Sequence, residues 1–428
     1  MSKRRNSRDQ RPRRRSRFKR RLVVLLLLAI GTVAAAPTIV GHSPLRDTLL
    51  NWQMPPGGWR VQSDAGSLSW IGGQTLSNLA IISPEGEPLL TVENLTLERS
   101  LLRLAIQPRD LGTVEVVRPV AYVTTREEGS NVEDFLSAIS KRQAALSGKA
   151  SDPGKSSEGT AVQLVVENGN VQGFDSVTKT AWQVEEASLS AVVAESKRLT
   201  AANGSAIVRY AENQTGRVKF RVEDANDEQQ QLDLLVEGLL LEPLRPLLAR
   251  SLGECQLSGV TAVEAHALWD PRQEGPLKLT TWGHASCDKL EFSGAALQGD
   301  RLECVRLEIP WKASLAQGAI DISELKLKCD WAEVAAQGAL ALEEIRNLSP
   351  ANLPRRDFRL SGKVSLSRLA QMLPSMMQIR EGVRVDAGEV TWNANSGLRD
   401  GAFTWSAEVG QADLAGEEEV GKTGLPGV

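Results

Sequence analysis

VRLEIPWKASLAQGAIDISELKLKCDW, residues 305–331, decides the fold class. In its first half Val305, Leu307, Ile309 and Trp311 occupy alternate positions, with Arg306, Glu308 and Lys312 between or beside them. In its second half Leu325, Leu327, Cys329 and Trp331 alternate with Lys326, Lys328 and Asp330. Gln317-Gly318 separates the halves as a turn signal. Successive side chains of an extended chain point to opposite faces, so a period of two gathers the apolar residues on one side. Two such runs joined by a short glycine-containing loop read as an antiparallel hairpin with one apolar and one wetted face.

The pattern continues outward in both directions. Val114, Val116, Val120 and Tyr122 share one face of GTVEVVRPVAYVTT, and Val162, Leu164 and Val166 share one face of AVQLVVENG. Val263 in SGVTAVEAHALW and Leu279 in LKLTTW extend it. Pro84-Glu85-Gly86, Asn168-Gly169-Asn170 and Asp270-Pro271 punctuate the runs as turns. The chain therefore reads as mainly β, with about 20–25 antiparallel strands that would stack over roughly 100 Å. Helices are few: residues 44–53, 243–252 and 366–373 are short candidates, and residues 131–146 are the strongest. There Ser130 or Asn131 can cap, Glu133 and Asp134 suit the positive end, and Val132, Phe135, Leu136 and Ile139 form an apolar stripe. A Gly/Ser/Lys stretch at residues 147–160 reads as a flexible linker. It separates a β region within residues 41–146 from a second, residues 161–428. GLLLEPLRPLL from Gly238 resembles GKVSLSRLAQML from Gly362, and each precedes a strand with a late Trp, Trp269 or Trp392. Residues 411–428 read without a closing strand, so the expectation is that another protein completes the sheet edge there or that the chain is a shortened version of a longer one.

The N-terminus carries a different signal. Residues 1–21 hold twelve Lys and Arg against Asp9, and LVVLLLLAIGTVAAAPTIV follows over residues 22–40. This charge-free run of nineteen residues approaches the ~20 a helix needs to cross a bilayer. The basic flank places residues 1–21 in the cytoplasm and the body across the membrane. Ala34-Ala35-Ala36 also fits a secretory cleavage site. Pro37 and the apolar continuation through Val40 favour a retained single-pass anchor.

The formal net charge of the whole chain is −3 at pH 7. The basic tail takes twelve cations and one acid, leaving 38 cations and 52 acids, a net −14 for the body. So acidic a body does not bind nucleic acid through phosphates. Three histidines and four cysteines (Cys255, Cys287, Cys304, Cys329) show no CxxC or HxxxH spacing, so no metal site is expected from them. GxSxG, P-loop and HExxH motifs are absent, no cofactor is implied, and an enzyme ranks below a binding or scaffold protein. If the chain turns around residues 295–298, Cys287 and Cys304 come together on neighbouring strands in the outward phase. They are the candidate disulfide, with Cys329 on the inward phase and apart from Cys304.

VENLTLERSLLRLAIQPRDLGTVEVVRPVAYVTTREEGSNVEDFL, residues 92–136, resembles the N-terminal signature of the AsmA-like family of envelope proteins, which includes TamB-like members. The strand from Val114 to Val123 with Pro119, the Gly129-Ser130-Asn131 turn and the helix opening at Phe135-Leu136 carry the likeness. Residues 165–192 resemble that family's next hairpin, and the single anchor agrees. The resemblance implies an elongated curved sheet shaped as a trough, an inner-membrane anchor, a periplasmic body in a Gram-negative-type envelope, and phospholipid as cargo. On that reading the lipid-facing residues are Val114, Val116, Val120, Val162, Leu164, Val263, Leu279, Val305, Leu307, Ile309, Leu325 and Leu327. In an ordinary sandwich the same residues would be sealed against a second sheet. The alternative function is an envelope assembly scaffold that binds other proteins at its sheet edges.

Overall fold

The structure is a computed structural model that describes residue 28 and residues 31–126, 129–147, 161–177, 179–194, 199–211, 214–226, 229–242, 255–271, 278–341, 358–379, 383–396, 403–410 and 413–416. Residues 31–41 are helical, and α1 (Leu45–Trp52) follows. Four strands come next: β1 (Arg60–Gln62), β2 (Ala65–Ser67), β3 (Gln74–Ile82) and β4 (Pro88–Leu97). The helix α2 (Leu101–Ile106) leads to β5 (Asp110–Arg126), β6 (Gly129–Ser130) and α3 (Asn131–Ser147). A run of strands then begins: β7 (Ala161–Asp175), β8 (Ala181–Val193), β9 (Leu199–Ala211), β10 (Gln214–Asp224), β11 (Gln230–Leu240) and β12 (Cys255–Trp269). It continues through β13 (Leu279–Gly294), β14 (Arg301–Ala316), β15 (Ala319–Lys328), β16 (Ala332–Ala341) and β17 (Phe358–Ser365). The helix α4 (Leu366–Met372) and β18 (Val383–Ala387), β19 (Glu389–Ser396), β20 (Phe403–Val409) and β21 (Asp413–Gly416) complete the order.

Nineteen strands form one long curved sheet, and β18 and β21 form a small separate one. Strands β1 and β2 share the first position beside β3. From β7 to β17 each strand pairs with its neighbours in sequence, and β19 and β20 complete the ladder. That gives seventeen positions, or about 75 Å at ~4.8 Å per strand, shorter than the sequence estimate. The sheet is mixed rather than antiparallel, because β5 and β7 run parallel. A parallel pair needs a crossover, and α3 lies on that connection. Ser130 caps α3 as expected, its Oγ accepting from Glu133 N at 3.2 Å. The β5–β7 pair also joins the two β regions into one sheet across residues 148–160, which lie outside the described residues.

The first edge is held by helices. Arg46 is buried on α1; it donates to the carbonyls of Gly41 (3.2 Å) and Ser63 and pairs with Asp47 at 2.9 Å. Arg142 of α3 donates to the carbonyls of Trp52 (2.8 Å) and Met54, and Phe135 packs on Trp59 at 4.8 Å. Among the described residues no helix is long and apolar enough to cross a membrane. Residues 22–27 and 29–30 of the apolar run, the basic tail, the helix expected at 243–252 and residues 417–428 lie outside the described residues.

The strands are interrupted in a regular way. Among the described residues, five of the nine non-glycine residues with positive φ lie inside strands: Asn78, Arg118, Asn168, Glu186 and Lys289, at 48–52°. Such a conformation is uncommon for residues with a Cβ. Asn78 and Arg118 both stand at the level of Glu93 on β4, which pairs with Arg118 at 2.9 Å. Asn168-Gly169-Asn170, a turn by its composition, is such an interruption inside β7. The ladder registers slip by one residue beside several of these points, as at bulges.

A bulged strand puts consecutive side chains on nearly one side, so the alternation reverses beyond it. The core shows the reversal directly. Leu76 and Leu79 on β3, and Leu95 and Val92 on β4, have opposite parity yet all pack in one cluster with Val61 and Val116.

Four glycines on this face are overlaid by an aromatic ring directly opposite: Gly173 by Trp182, Gly204 by Phe220, Gly283 by Trp311 and Gly362 by Trp392. The ring covers backbone that glycine leaves bare. A Cβ at Gly283 would meet the Trp311 ring at 2.6 Å, with the Glu264 carbonyl also in the way. Gly283→Ala is therefore expected to lower stability by about 1–3 kcal/mol, seen as a lower urea midpoint by circular dichroism. An unchanged midpoint would mean that the ring is not seated there.

Candidate functional site

One cross-strand row can be followed through the sheet from β3 to β20. It runs Leu76, Leu95, Val116, Val166, Leu189, Gly204, Phe220 and Leu234, each directly opposite the next. It continues through Ala265, Gly283, Trp311, Leu325, Ala336, Leu360, Ala394 and Trp405. No polar side chain interrupts it. Directly opposed residues share a face, so this is one continuous apolar surface about 70 Å long. Its Leu, Val, Phe and Trp side chains as far as Leu360 are half-buried rather than sealed.

The adjacent row, one residue along each strand and on the other face, is mostly polar: Thr75, Thr96, Glu115, Val165, Ser190, Asn203, Arg221, Asp233, His266, Trp282, Lys312 and Glu324. On it His266 Nδ1 lies 2.6 Å from Asp233, its Nε2 lies 3.5 Å from Glu264, and its ring stacks on Trp282 at 5.3 Å. Burial pushes the Asp233 carboxyl up, but hydrogen bonds from Gln231 and His266 outweigh it and hold the group below the usual range.

Ten of the twelve expected apolar-face residues stand on the apolar side. Val114 faces Leu97 and Leu164, Val162 faces Val193, and Val263 faces Val236 and Ala285. Leu279 faces Leu315, Leu307 faces Cys287, Ile309 faces Ala285, and Leu327 faces Val334. Val116, Leu164 and Leu325 lie in or beside the same rows. Val120 and Val305 do not belong with them. Val120 stands between Thr91 and Asn170, beyond the reversal at Arg118. Val305 is 70% exposed, at the level of the reversal at Lys289.

The expected Cys287–Cys304 disulfide is corrected by the same register. Cys287 stands opposite Leu307 and Cys304 opposite Leu290. The two are three residues apart along the ladder, about 10 Å and beyond disulfide reach. The 3-10 turn at Ala295–Leu297 sets that register. All four cysteines are free thiols. Cys287 and Cys304 are buried on the apolar side rather than outward, and burial pushes the Cys304 thiol up to about 12. Cys304 lies instead with Cys329 and Asp330, their donor atoms within 4.8 Å of one another. Sequence spacing missed this group because it joins a residue of β14 to two in the turn after β15.

At one end of β8–β14 the surface is concave. Trp182, Tyr210, Leu257 and Phe292 meet Gln214, Gln256, Glu291 and Arg301 around a space of about 470 Å³. Burial, with the Glu242 carboxylate nearby, pushes the Tyr210 hydroxyl up to about 12, so it stays protonated.

No protein-family model matches this chain, and no curated protein matches it.

The reversal at Lys289 has a direct test. Val305→Asp is expected to change stability by less than about 0.5 kcal/mol, while Leu307→Asp, two residues away, costs roughly 1–3 kcal/mol. Urea midpoints of the two variants measure the contrast; equal losses would mean that both side chains share one face.

Proposed function

We propose that this chain binds phospholipid along the apolar face of its sheet, which serves as the lining of a trough, and passes lipid between envelope membranes. The observation that carries this reading is the row without a polar side chain that starts at Leu76, whose large apolar side chains as far as Leu360 are half-exposed. Monomeric proteins rarely leave contiguous apolar patches above a few hundred Å² open to water. A surface about 70 Å long and several residues wide exceeds that many times over. Acyl chains suit it. Each buried methylene contributes ~0.8 kcal/mol, and the contact is non-directional, so a chain can slide from strand to strand without meeting a polar barrier.

The likeness of residues 92–136 to AsmA-like proteins supports the same reading. In that setting residues 22–40 anchor the chain in a bacterial inner membrane, residues 1–21 stay in the cytoplasm and the sheet lies in the periplasm. The competing reading is an envelope assembly scaffold that binds other proteins at its sheet edges and carries no lipid.

The test is mass spectrometry of lipids that co-purify with the full chain extracted from membranes in mild detergent. At least one phospholipid per chain is expected, lost when Val116 and Leu307 are both changed to Asp and kept when Val120 and Val305 are changed instead. Lipid-free protein, or lipid retained equally by both double variants, would overturn the proposal in favour of the scaffold.

A further inference from the structure

We propose that Cys304, Cys329 and Asp330 form a binding site for a thiophilic divalent cation, with zinc as the first choice. The inference is independent of the lipid reading.

The three donors converge from separate parts of the chain. Cys304 lies in β14, and Cys329 and Asp330 lie in the turn between β15 and β16. Their sulfur and oxygen atoms lie within 4.8 Å of one another. Tetrahedral zinc, with bonds of ~2.3 Å to sulfur and ~2.0–2.2 Å to carboxylate oxygen, brings its ligands to similar mutual separations after small side-chain rotations. Two thiols and a carboxylate suit zinc rather than magnesium or calcium, which prefer oxygen alone.

The frame around the donors is fixed by three hydrogen bonds. Cys329 N donates to Ala332 O at 2.8 Å and closes the turn. The Trp331 indole donates to Glu303 O at 2.9 Å. Val305 N donates to Asp330 Oδ1 at 3.2 Å, which orients the carboxylate beside the two sulfurs. Burial is graded from the buried Cys304 through the half-buried Cys329 to the exposed Asp330. An ion can therefore enter from the Asp330 side, and water can take the fourth position. A disulfide would account for the two sulfurs but not for a carboxylate held beside them. A bound ion would pin the β15–β16 turn to β14 at Val305, where Asp330 takes up the backbone N–H.

The test uses the full chain, purified with reductant and stripped by a chelator. Zinc titration against a chromophoric competitor is expected to give one ion per chain. Cobalt(II) in its place should show thiolate-to-metal charge-transfer bands in the unaltered protein, so the result does not hang on a variant folding. Cys304→Ser and Cys329→Ser should abolish both signals, and Cys255→Ser should leave them intact. Asp330→Asn should keep the thiolate bands but weaken zinc binding by at least the roughly 10–100-fold that loss of a supporting group costs. Absence of cobalt–thiolate bands, zinc binding unchanged in both Ser variants, or two thiols that titrate only after reduction because Cys304 and Cys329 are joined would each overturn the proposal.

Discussion

Keeping side-chain alternation in phase from strand to strand is the constraint on which this molecule rests. A sheet this wide has an apolar side only if every strand presents the same parity at the same level. Interruptions at Asn78 on β3 and Arg118 on β5 flank Glu93 of β4 at one level, and Asn168 on β7 stands opposite Arg118, so the faces reverse together. Each such residue costs on the order of 1 kcal/mol of backbone strain. A strand that failed to reverse would turn a charged row toward an aliphatic one, as Glu115 would be turned against Val166. Burying such a charge without a partner is far more costly than the strain.

Stability is accordingly spread along the ladder rather than concentrated. The buried core cluster is small, Val61, Leu79 and Val92, and sits at the helix-supported first edge. Elsewhere the sheet relies on backbone pairing, on cross-strand apolar contacts and on aromatic rings laid over glycines. Pairs on the polar face, such as Arg306 with Glu308, are exposed and contribute little individually. They keep that face soluble and distinct from the other.

Much of this was legible in the sequence. The period of two in residues 305–331 identified a hairpin with a single apolar side, and helices were correctly expected near 45–52, 131–147 and 366–372. What escaped was local backbone geometry. Asn168-Gly169-Asn170 has the composition of a turn, and only pairing on both sides shows that the strand runs through it. Nothing in the identity of Arg118 or Lys289 announces a left-handed residue, so Val120 and Val305 were placed on the wrong face and Cys304 was given the wrong phase. The parallel β5–β7 pair was hidden because its crossover carries no pairing signal of its own. The glycine–aromatic pairs and the Cys304–Cys329–Asp330 group join residues whose proximity depends on register, which composition does not encode.

The order of the ladder has a kinetic and evolutionary side. From β8 to β16 each strand pairs only with its sequence neighbours, so contacts are short in sequence and the loop-closure entropy for each addition is small. Such a sheet can grow by accretion behind the ribosome, each new hairpin templated by the exposed edge of the last. The number of strands is then not fixed by any closure condition, as it is in a barrel. Insertion or loss of a whole hairpin preserves phase and leaves the rest undisturbed, so length is the property such a chain can change most freely.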